Sequence, residues 1–221
     1  MGKNLKHLLA AGLIAAAMSP VCAHASLIAC GNVTDPAGDN TFGRPDMVSG
    51  SVCIDSTGNA LMTVTYAGGT SLTDAEGFFN LDIDKNPATG WAGVDSAHND
   101  SALMGLEYSL RINGSSFQGA GELLQYTGGF WSTVGGVVPV TYSGTTQVAT
   151  VPLSWLGGID GSMNFTVVSV RQLTAGSSTG IGDYMPNLGA VGTVTVPEPA
   201  TLALLGAGLA GLSFSRRRKC A

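Results

Sequence analysis

The sequence predicts an all-β fold, an antiparallel β-sandwich of the jelly-roll type, between residues 26 and 196. Short runs of β-branched and apolar residues recur along this region, as in Asn59–Tyr66. Other runs alternate apolar and polar residues, which is the period of a strand with one buried face. Leu106–Ile112 alternates in this way. Gly-Gly, Asn-Gly and Ser-Gly pairs separate many of the runs, as is typical of turns between antiparallel strands.

Nine strands follow from these patterns, and helical turns are predicted at only two places, Thr73–Gly77 and Pro152–Gly157. Many short strands without long helices favour a sandwich over other fold classes. The predicted strands are Ser51–Asp55, Asn59–Tyr66, Gly77–Asp84, Leu106–Ile112, Gly121–Tyr126, Val137–Tyr142, Gln147–Leu153, Asn164–Leu173 and Ala190–Val196.

Charge is distributed unevenly along the chain. The region from Ser26 to Val196 has four basic residues against fourteen acidic ones, a net charge of −10. A basic surface for nucleic acid is therefore absent, and no nucleic-acid partner is expected. An acidic domain of this kind instead attracts cations such as calcium.

The first 25 residues have the order of features of a secretory signal peptide. Lys3 and Lys6 form a positive start, and the apolar run Leu8–Met18 follows. Ala23 and Ala25 place small residues at the cleavage positions. We therefore expect a signal helix that engages the secretion machinery and is then removed.

The last 25 residues contain three ordered features. Val196, Pro197, Glu198 and Pro199 come first, followed by the uncharged apolar stretch Ala200–Ser215. A cationic cluster ends the stretch, which favours a transmembrane helix with its end in the cytoplasm. The cluster begins with Arg216, Arg217 and Arg218.

This tripartite tail resembles the PEP-CTERM sorting signal. The resemblance implies recognition by an exosortase in the inner membrane, cleavage near Pro-Glu-Pro, and delivery to the cell surface of a bacterium that makes exopolysaccharide. The predicted organisation is a signal peptide at 1–25, an exported domain at 26–196 and a sorting and membrane-anchoring segment at 197–221.

Two cysteines, Cys30 and Cys53, remain after the predicted processing of both ends. In an oxidising compartment a disulfide between them is the favoured interpretation. Two alternatives remain open, namely two unpaired buried thiols or lipidation of Cys30, which follows the lipobox-like Leu27-Ile28-Ala29.

Acidic loops supply candidate calcium ligands. Alternate oxygen-bearing side chains on a turning chain suit a hard cation. The alternative is that these side chains cap turns, as Asp and Asn commonly do. The candidate ligands lie in three segments: Asp82, Asp84 and Asn86 in the first, Asp35 and Asp39, with Asp46 nearby, in the second, and Asp183 in the third.

The same segments resemble DOMON-like β-sandwiches related to family 9 carbohydrate-binding modules. The motifs are Asp35-Pro36-x-Gly38-Asp39, Asp82-x-Asp84-x-Asn86-x-x-Thr89-Gly90, Leu106-Glu107-Tyr108, Val151-Pro152-Leu153-Ser154-x-Leu156-Gly157 and Asp183-x-x-Pro186-Asn187. The resemblance implies a sandwich with structural calcium and, in some members, glycan binding. Trp91 and Trp131 are then candidate platforms for sugar rings, whereas Trp155 is expected in the core.

A non-catalytic surface or matrix protein, associated with polysaccharide, is the predicted function. His98 is the only histidine of the exported region, which disfavours a Ser-His-Asp set and a zinc site with several imidazoles. A polysaccharide-active enzyme with an Asp/Glu pair, involving Glu107 or Glu122, is one alternative. A purely structural matrix component is the other.

Overall fold

A computed structural model describes residues 26–195 apart from 42, 93–103, 116–119, 158, 160, 175–176 and 188–189. The predicted signal peptide and the sorting tail beyond residue 195 lie outside the described residues. Among the described residues, no helix is long and apolar enough to cross a bilayer.

Eleven strands account for most of the described chain, and a single 3-10 turn at Leu153–Trp155 lies between two of them. The strands are β1 Leu27–Thr34, β2 Met47–Asp55, β3 Asn59–Tyr66, β4 Ala75–Asp82, β5 Tyr108–Ile112, β6 Ala120–Thr127, β7 Phe130–Ser143, β8 Thr146–Pro152, β9 Ser162–Thr174, β10 Ser177–Met185 and β11 Gly192–Thr195.

All strand pairs are antiparallel, and they form one continuous sheet in the order β1-β2-β3-β8-β7-β6-β5-β4-β9-β10, with β11 also paired to β9. The fourteen-residue strand β7 makes the sheet continuous, because β6 pairs with residues 130–139 and β8 pairs with residues 140–143. The predicted all-β antiparallel class is confirmed. The predicted sandwich is not, since the sheet curls into a nearly closed, barrel-like form.

The two ends of the sheet meet where β1 lies against β11. A side chain at Gly31 would have no room, because its Cβ would collide with the backbone oxygen of Thr193. Strands β10 and β11 pair with successive parts of β9, so they line one edge of it. The last described strand is therefore held between β9 and β1.

Because side chains alternate along each strand, one set of apolar side chains points to the inside of the sheet and forms a common core. Tyr66, Phe79, Leu81 and Phe165 are among its largest fully buried members. A second, smaller cluster on the outer face of the sheet includes Leu106. Burial of this apolar surface is the main favourable contribution to folding.

The two predicted helical turns have different outcomes. The 3-10 turn at Leu153–Trp155 lies inside the predicted Pro152–Gly157 turn. The turn predicted at Thr73–Gly77 is right only for Thr73 and Asp74, because β4 begins at Ala75 and this end of the strand pairs with β9 from Arg171 to Ser169. Pairing across the sheet overrides the local preference there.

A disulfide joins Cys30 on β1 to Cys53 on β2, as the sequence predicts. The two residues are direct partners in the β1–β2 ladder, and their Cα atoms are 4.1 Å apart. The bond therefore holds β1, the edge strand that contacts β11, to the rest of the sheet.

Removing this bond should lower stability. The cysteines are 23 residues apart, and closing a loop of that size stabilises the folded state by roughly 3 kcal/mol in the chain-entropy model. The double substitution Cys30→Ser, Cys53→Ser should reduce the free energy of unfolding by about that amount in urea denaturation. Labelling of both cysteines in the unreduced secreted protein would contradict the bond itself.

Candidate functional site

Two groups of three carboxylates stand out among the described residues. One consists of Asp82, Asp84 and Glu107, here called the Asp82 cluster. The other consists of Asp35, Asp39 and Asp183, here called the Asp35 cluster. Within each cluster, one oxygen from every carboxylate lies within 4.8 Å of the others. Three negative charges so close together favour a bound cation or a proton.

Strand register builds the Asp82 cluster. Asp82 is the last residue of β4, and its neighbour Leu81 pairs with Tyr108 at the start of β5. Glu107 precedes Tyr108, and its backbone N–H donates to the carbonyl of Leu81 at 3.1 Å. The end of β4 and the start of β5 thus bring two carboxylates together that are 25 positions apart in the chain.

A tight loop after β4 brings in the third carboxylate. The Thr89 hydroxyl lies 2.9 Å from Glu107 Oε1 and 3.0 Å from Asp84 Oδ2. Lys85 adopts φ of 55°, and Gly90 adopts φ of 68°. A side chain at Gly90 would collide with the backbone of Leu106 and approach the Glu107 carboxylate, so this position needs glycine.

Asp82 lies at the base of its cluster. Its side chain is fully buried, and neither carboxylate oxygen has a hydrogen-bond partner among the described residues. Burial raises the pKa of Asp82 and the charge of Asp84 adds to the rise; the backbone N–H groups of Lys85 and Asn86 are near enough to offset part of it, although neither is placed to form a hydrogen bond with this carboxylate. An ionised Asp82 is therefore only partly compensated for its lost hydration.

Glu107 and Asp84 are progressively more exposed. Burial also raises the pKa of Glu107, and this rise is opposed by hydrogen bonds from the backbone N–H of Ile83 and from Thr89. Asp84 is exposed, and its Oδ1 accepts the backbone N–H of Asn86 at 2.9 Å. The cluster therefore has a buried base and a rim that is open to solvent.

The Asp35 cluster has the same arrangement on other elements. Asp35 directly follows β1, Asp183 lies on β10, and the connection between β1 and β2 folds over β10 to bring in Asp39. Thr41 fastens this connection, because its backbone N–H donates to the carbonyl of Gly182 at 2.7 Å. Asp39 is exposed at the opening and accepts the side-chain amide of Asn187 at 3.1 Å.

Asp35 is the unpaired carboxylate of this cluster. It is 7% exposed, and neither of its oxygens has a hydrogen donor among the described residues. Burial, followed by the charges of Asp183 and Asp39, raises its pKa to about 7. In the protonated form, Asp35 can share its proton with either neighbouring carboxylate.

Asp183 is buried as well but has partial compensation. Its two oxygens accept backbone N–H groups, from Met47 at 2.6 Å and from Tyr184 at 2.8 Å. Burial raises its pKa to about 6 in spite of these bonds, with contributions from the charges of Asp39 and Asp46. A cleft of about 300 Å³ borders Asp39 and Asp183 and leads from the cluster to solvent.

Asp55 shows what a turn-capping aspartate looks like in the same fold. Its Oδ1 accepts the backbone N–H groups of Thr57 at 2.8 Å and of Asn59 at 2.9 Å. Burial alone would raise the pKa of Asp55, but these bonds outweigh it and lower the pKa to about 2. Asp35 and Asp82 are buried to a similar degree or more, yet lack such donors, so turn capping does not account for them.

The predicted ligands thus separate into two places. Asp82 and Asp84 lie in one cluster, and Asp35, Asp39 and Asp183 lie in the other. The side-chain oxygen of Asn86 accepts the backbone N–H of Ala88 at 3.1 Å, so this residue caps its own loop.

Glu107 joins the Asp82 cluster, whereas the sequence named it only as a candidate for a catalytic Asp/Glu pair. The signal that could have found it is the pairing of the strand ending at Asp82 with the strand beginning at Tyr108. Glu122 joins neither cluster; its Oε1 accepts the hydroxyl of Thr133 at 2.5 Å.

The two candidate sugar platforms are in contact. The ring centroids of Trp91 and Trp131 are 5.8 Å apart, and the two ring planes are inclined at 76°. The ring centroids of Tyr126 and Trp131 are 5.3 Å apart. Trp91 is fixed by reciprocal backbone hydrogen bonds with Leu106, next to Glu107. Trp155 packs against the core and beneath Gly135, as expected.

Residues 195–219 match the family model of the PEP-CTERM protein-sorting motif. The match confirms the prediction that the tail is a PEP-CTERM sorting signal. This motif indicates an exported protein that exosortase recognises, with a membrane-anchored precursor that is sorted to the cell surface. No curated protein and no solved structure matches the chain. The resemblance to DOMON-like sandwiches therefore stays a prediction.

The raised pKa of Asp35 generates a prediction for protein stripped of divalent cations. Between about pH 4 and about pH 7, folded Asp35 keeps a proton that the unfolded chain loses, so the free energy of unfolding should fall as pH rises. Asp183 adds to this fall up to about pH 6. Urea denaturation across this range measures it.

The substitution Asp35→Asn should remove most of this dependence, because the amide cannot ionise. Asp55 is a suitable internal reference, since its low pKa makes it lose stability only in more acidic solution, as pH falls below about 4. A stability that rises steadily from pH 4 to 7 in cation-free protein would contradict the assignment.

Proposed function

We propose that this protein is a non-catalytic component of the cell surface or extracellular matrix, whose exported β-domain is stabilised by calcium at both carboxylate clusters. The observation that carries the proposal is the pair of buried carboxylates, Asp35 and Asp82, that have no hydrogen donor among the described residues. Each lies with two further carboxylates within 4.8 Å.

The chemistry of the donors favours a hard cation. All six side chains offer carboxylate oxygens, which calcium prefers, and none offers the nitrogen or sulfur typical of zinc sites. Three carboxylates supply three to six of the six to eight oxygens that calcium takes, and solvent can supply others at each exposed rim. A divalent ion would also remove the electrostatic cost of holding Asp35 and Asp82 ionised.

Mass action sets the size of the effect. Extracellular calcium modules bind with Kd of about 10⁻⁴ to 10⁻³ M. At a free calcium concentration ten times Kd, each site would add about 1.4 kcal/mol to the free energy of unfolding. The two clusters share no residue, so their contributions should be close to additive.

Calcium should therefore raise the melting temperature of the domain, and EDTA should lower it. Isothermal titration calorimetry should find two sites in the wild-type protein and one in Asp82→Asn, which preserves shape but removes a charge. Glu122→Gln is the matched control, because Glu122 belongs to neither cluster, and it should retain two sites. An unchanged melting temperature on adding calcium would count against a bound ion.

Association with polysaccharide is a second candidate function. Its specific support is the partly exposed Trp91, 36% accessible, whose ring contacts that of Trp131, which in turn contacts Tyr126. Because the two indole planes are far from parallel, one ring can stack on a sugar while the other borders it. The carboxylates of the Asp82 cluster lie next to this aromatic group through Leu106 and Glu107.

Trp91→Ala should weaken retention on the exopolysaccharide of the host about tenfold, which is the scale of one lost aromatic contact. Val137→Ala is the control, since Val137 is 75% exposed and lies elsewhere on β7. Failure of the wild-type protein to bind would favour a purely structural matrix component. Release of reducing sugars from the polysaccharide would instead favour an enzyme.

A further inference from the structure

The chain leaves the domain at one particular end of the sheet. Thr195, the last residue of β11, pairs with Ser162 at the start of β9. Asp82, the last residue of β4, pairs with Asn164 two residues further along β9. The end of β11 and the end of β4 therefore lie together, and the sorting motif begins at residue 195.

The register extends this end across the sheet. Leu81 of β4 pairs with Tyr108 at the start of β5, and Tyr108 pairs with Gln125 near the end of β6, so these strand ends lie side by side. The β6–β7 hairpin closes there, where Thr127 pairs with Phe130. We call this the exit end. It also includes the start of β1, because Gly31 lies against Thr193 and Val33 lies against Gly192, so that β1 runs antiparallel to β11.

Exposed hydrophobic side chains are concentrated at the exit end. Five large hydrophobic residues are exposed among those that the structure describes. Four of them lie at this end: Leu27 at 56%, Ile28 at 50%, Trp91 at 36% and Phe130 at 79%. The fifth, Val137, lies further along β7. Scattered exposed apolar residues are ordinary, but grouping of this kind marks an interaction surface.

The tail limits what this surface can face. Five peptide units separate Thr195 from Ala200, where the apolar stretch begins, and they span at most about 18 Å. The headgroup layer on each side of a bilayer is only about 5–7 Å thick. Four strand spacings, about 19 Å in all, separate β11 from β6. If the apolar stretch is in the membrane, the exit end lies beside the lipid surface.

We propose that the exit end rests on the phospholipid surface of the membrane in the precursor, with Phe130, Trp91, Leu27 and Ile28 in the interfacial layer. Aromatic rings are favoured at that depth. Exposed apolar side chains also gain free energy there, because they leave water for the interfacial layer. This inference rests on the sorted, membrane-anchored precursor and does not require calcium. Docking would hold Pro197, Glu198 and Pro199 at the lipid surface, where a membrane enzyme can reach them.

Negative charge at the exit end opposes this contact in part. The Asp82 cluster carries negative charge, and the exposed Asp84 would be repelled by anionic lipids. Lys85 is exposed in the same loop and is the only lysine between residues 26 and 195. A cation in the cluster would reduce the repulsion, so docking should be stronger, or unchanged, when calcium is present.

Tryptophan fluorescence of the full-length precursor, inserted in vesicles of phosphatidylethanolamine and phosphatidylglycerol, tests the proposal. Brominated acyl chains quench tryptophans that approach the lipid, and Trp91 and Trp131 lie at the exit end. We expect quenching of the wild-type precursor. Phe130→Ser should lower the ratio of docked to undocked molecules about tenfold, the scale of exposing one large apolar side chain.

Val137→Ser is the matched control, because Val137 is 75% exposed and lies on the same strand roughly 23 Å from Phe130. It should be quenched like the wild-type protein. Circular dichroism of each variant verifies that it is folded, and the wild-type measurement stands without either variant. Absence of quenching, with protease protection showing an inserted tail, would overturn the proposal.

Two further results separate this proposal from the others. A fluorescence change caused by soluble host polysaccharide, with no quenching by lipid, would overturn it in favour of a glycan surface. Cleavage is scored separately, in cells with and without exosortase. Normal cleavage without quenching would reject docking and leave the sorting of the tail unaffected. Quenching without cleavage would support docking and reject processing of the tail by exosortase.

Discussion

The pairing of β4 with β5 on one side and β9 on the other is the constraint on which the functional features depend. Its register sets Asp82 beside Asn164 and Leu81 beside Tyr108. Glu107 reaches Asp82 only because β5 begins opposite the end of β4. The same register places the end of β11 at this side of the sheet. A shift of one residue would turn Asp82 toward the core and Leu81 toward solvent.

This arrangement sets burial against ionisation. The outer face of the sheet is covered near Asp82, so a carboxylate there loses water without gaining hydrogen bonds from the described residues. Asp35 is in the same situation beside β10. Both have two ways to avoid an uncompensated charge, namely a proton or a cation. Asp55, with several donors, needs neither. The contrast comes from hydrogen bonding, since all three are buried aspartates in one fold.

Much of the secondary structure follows from local patterns, and β3 was predicted with its observed bounds. β1 and β10 were missed because glycine, serine and asparagine interrupt their apolar residues. The first half of β7 was missed because Gly135 and Gly136 indicated a turn; the strand passes through them, with Gly135 at φ of 71°.

The carboxylate sites were predicted only in part. Loop composition pointed to Asp82 and Asp84 in one segment, Asp35 and Asp39 in a second and Asp183 in a third, but not to the meeting of the last two segments in one cluster. It could not include Glu107, whose membership depends on which strands become neighbours in space. Alternation with Tyr108, Leu110 and Ile112, which face the core, places its side chain on the outer face of the sheet. What alternation cannot show is that the loop after Asp82 covers that face and encloses the carboxylate.

The absence of a spacer between the sheet and the sorting motif has a mechanical consequence. Pro197 has no N–H to donate, so the ladder cannot extend far beyond Thr195. Any force on the tail therefore acts directly on β11, a four-residue strand hydrogen-bonded only to β9 among the described residues. Its other side is covered by β1, which packs against it at Gly31 and is bonded to β2 through Cys30 and Cys53. Because the disulfide prevents β1 from separating, it keeps the strand next to the tail enclosed, which gives this bond a role beyond general stabilisation.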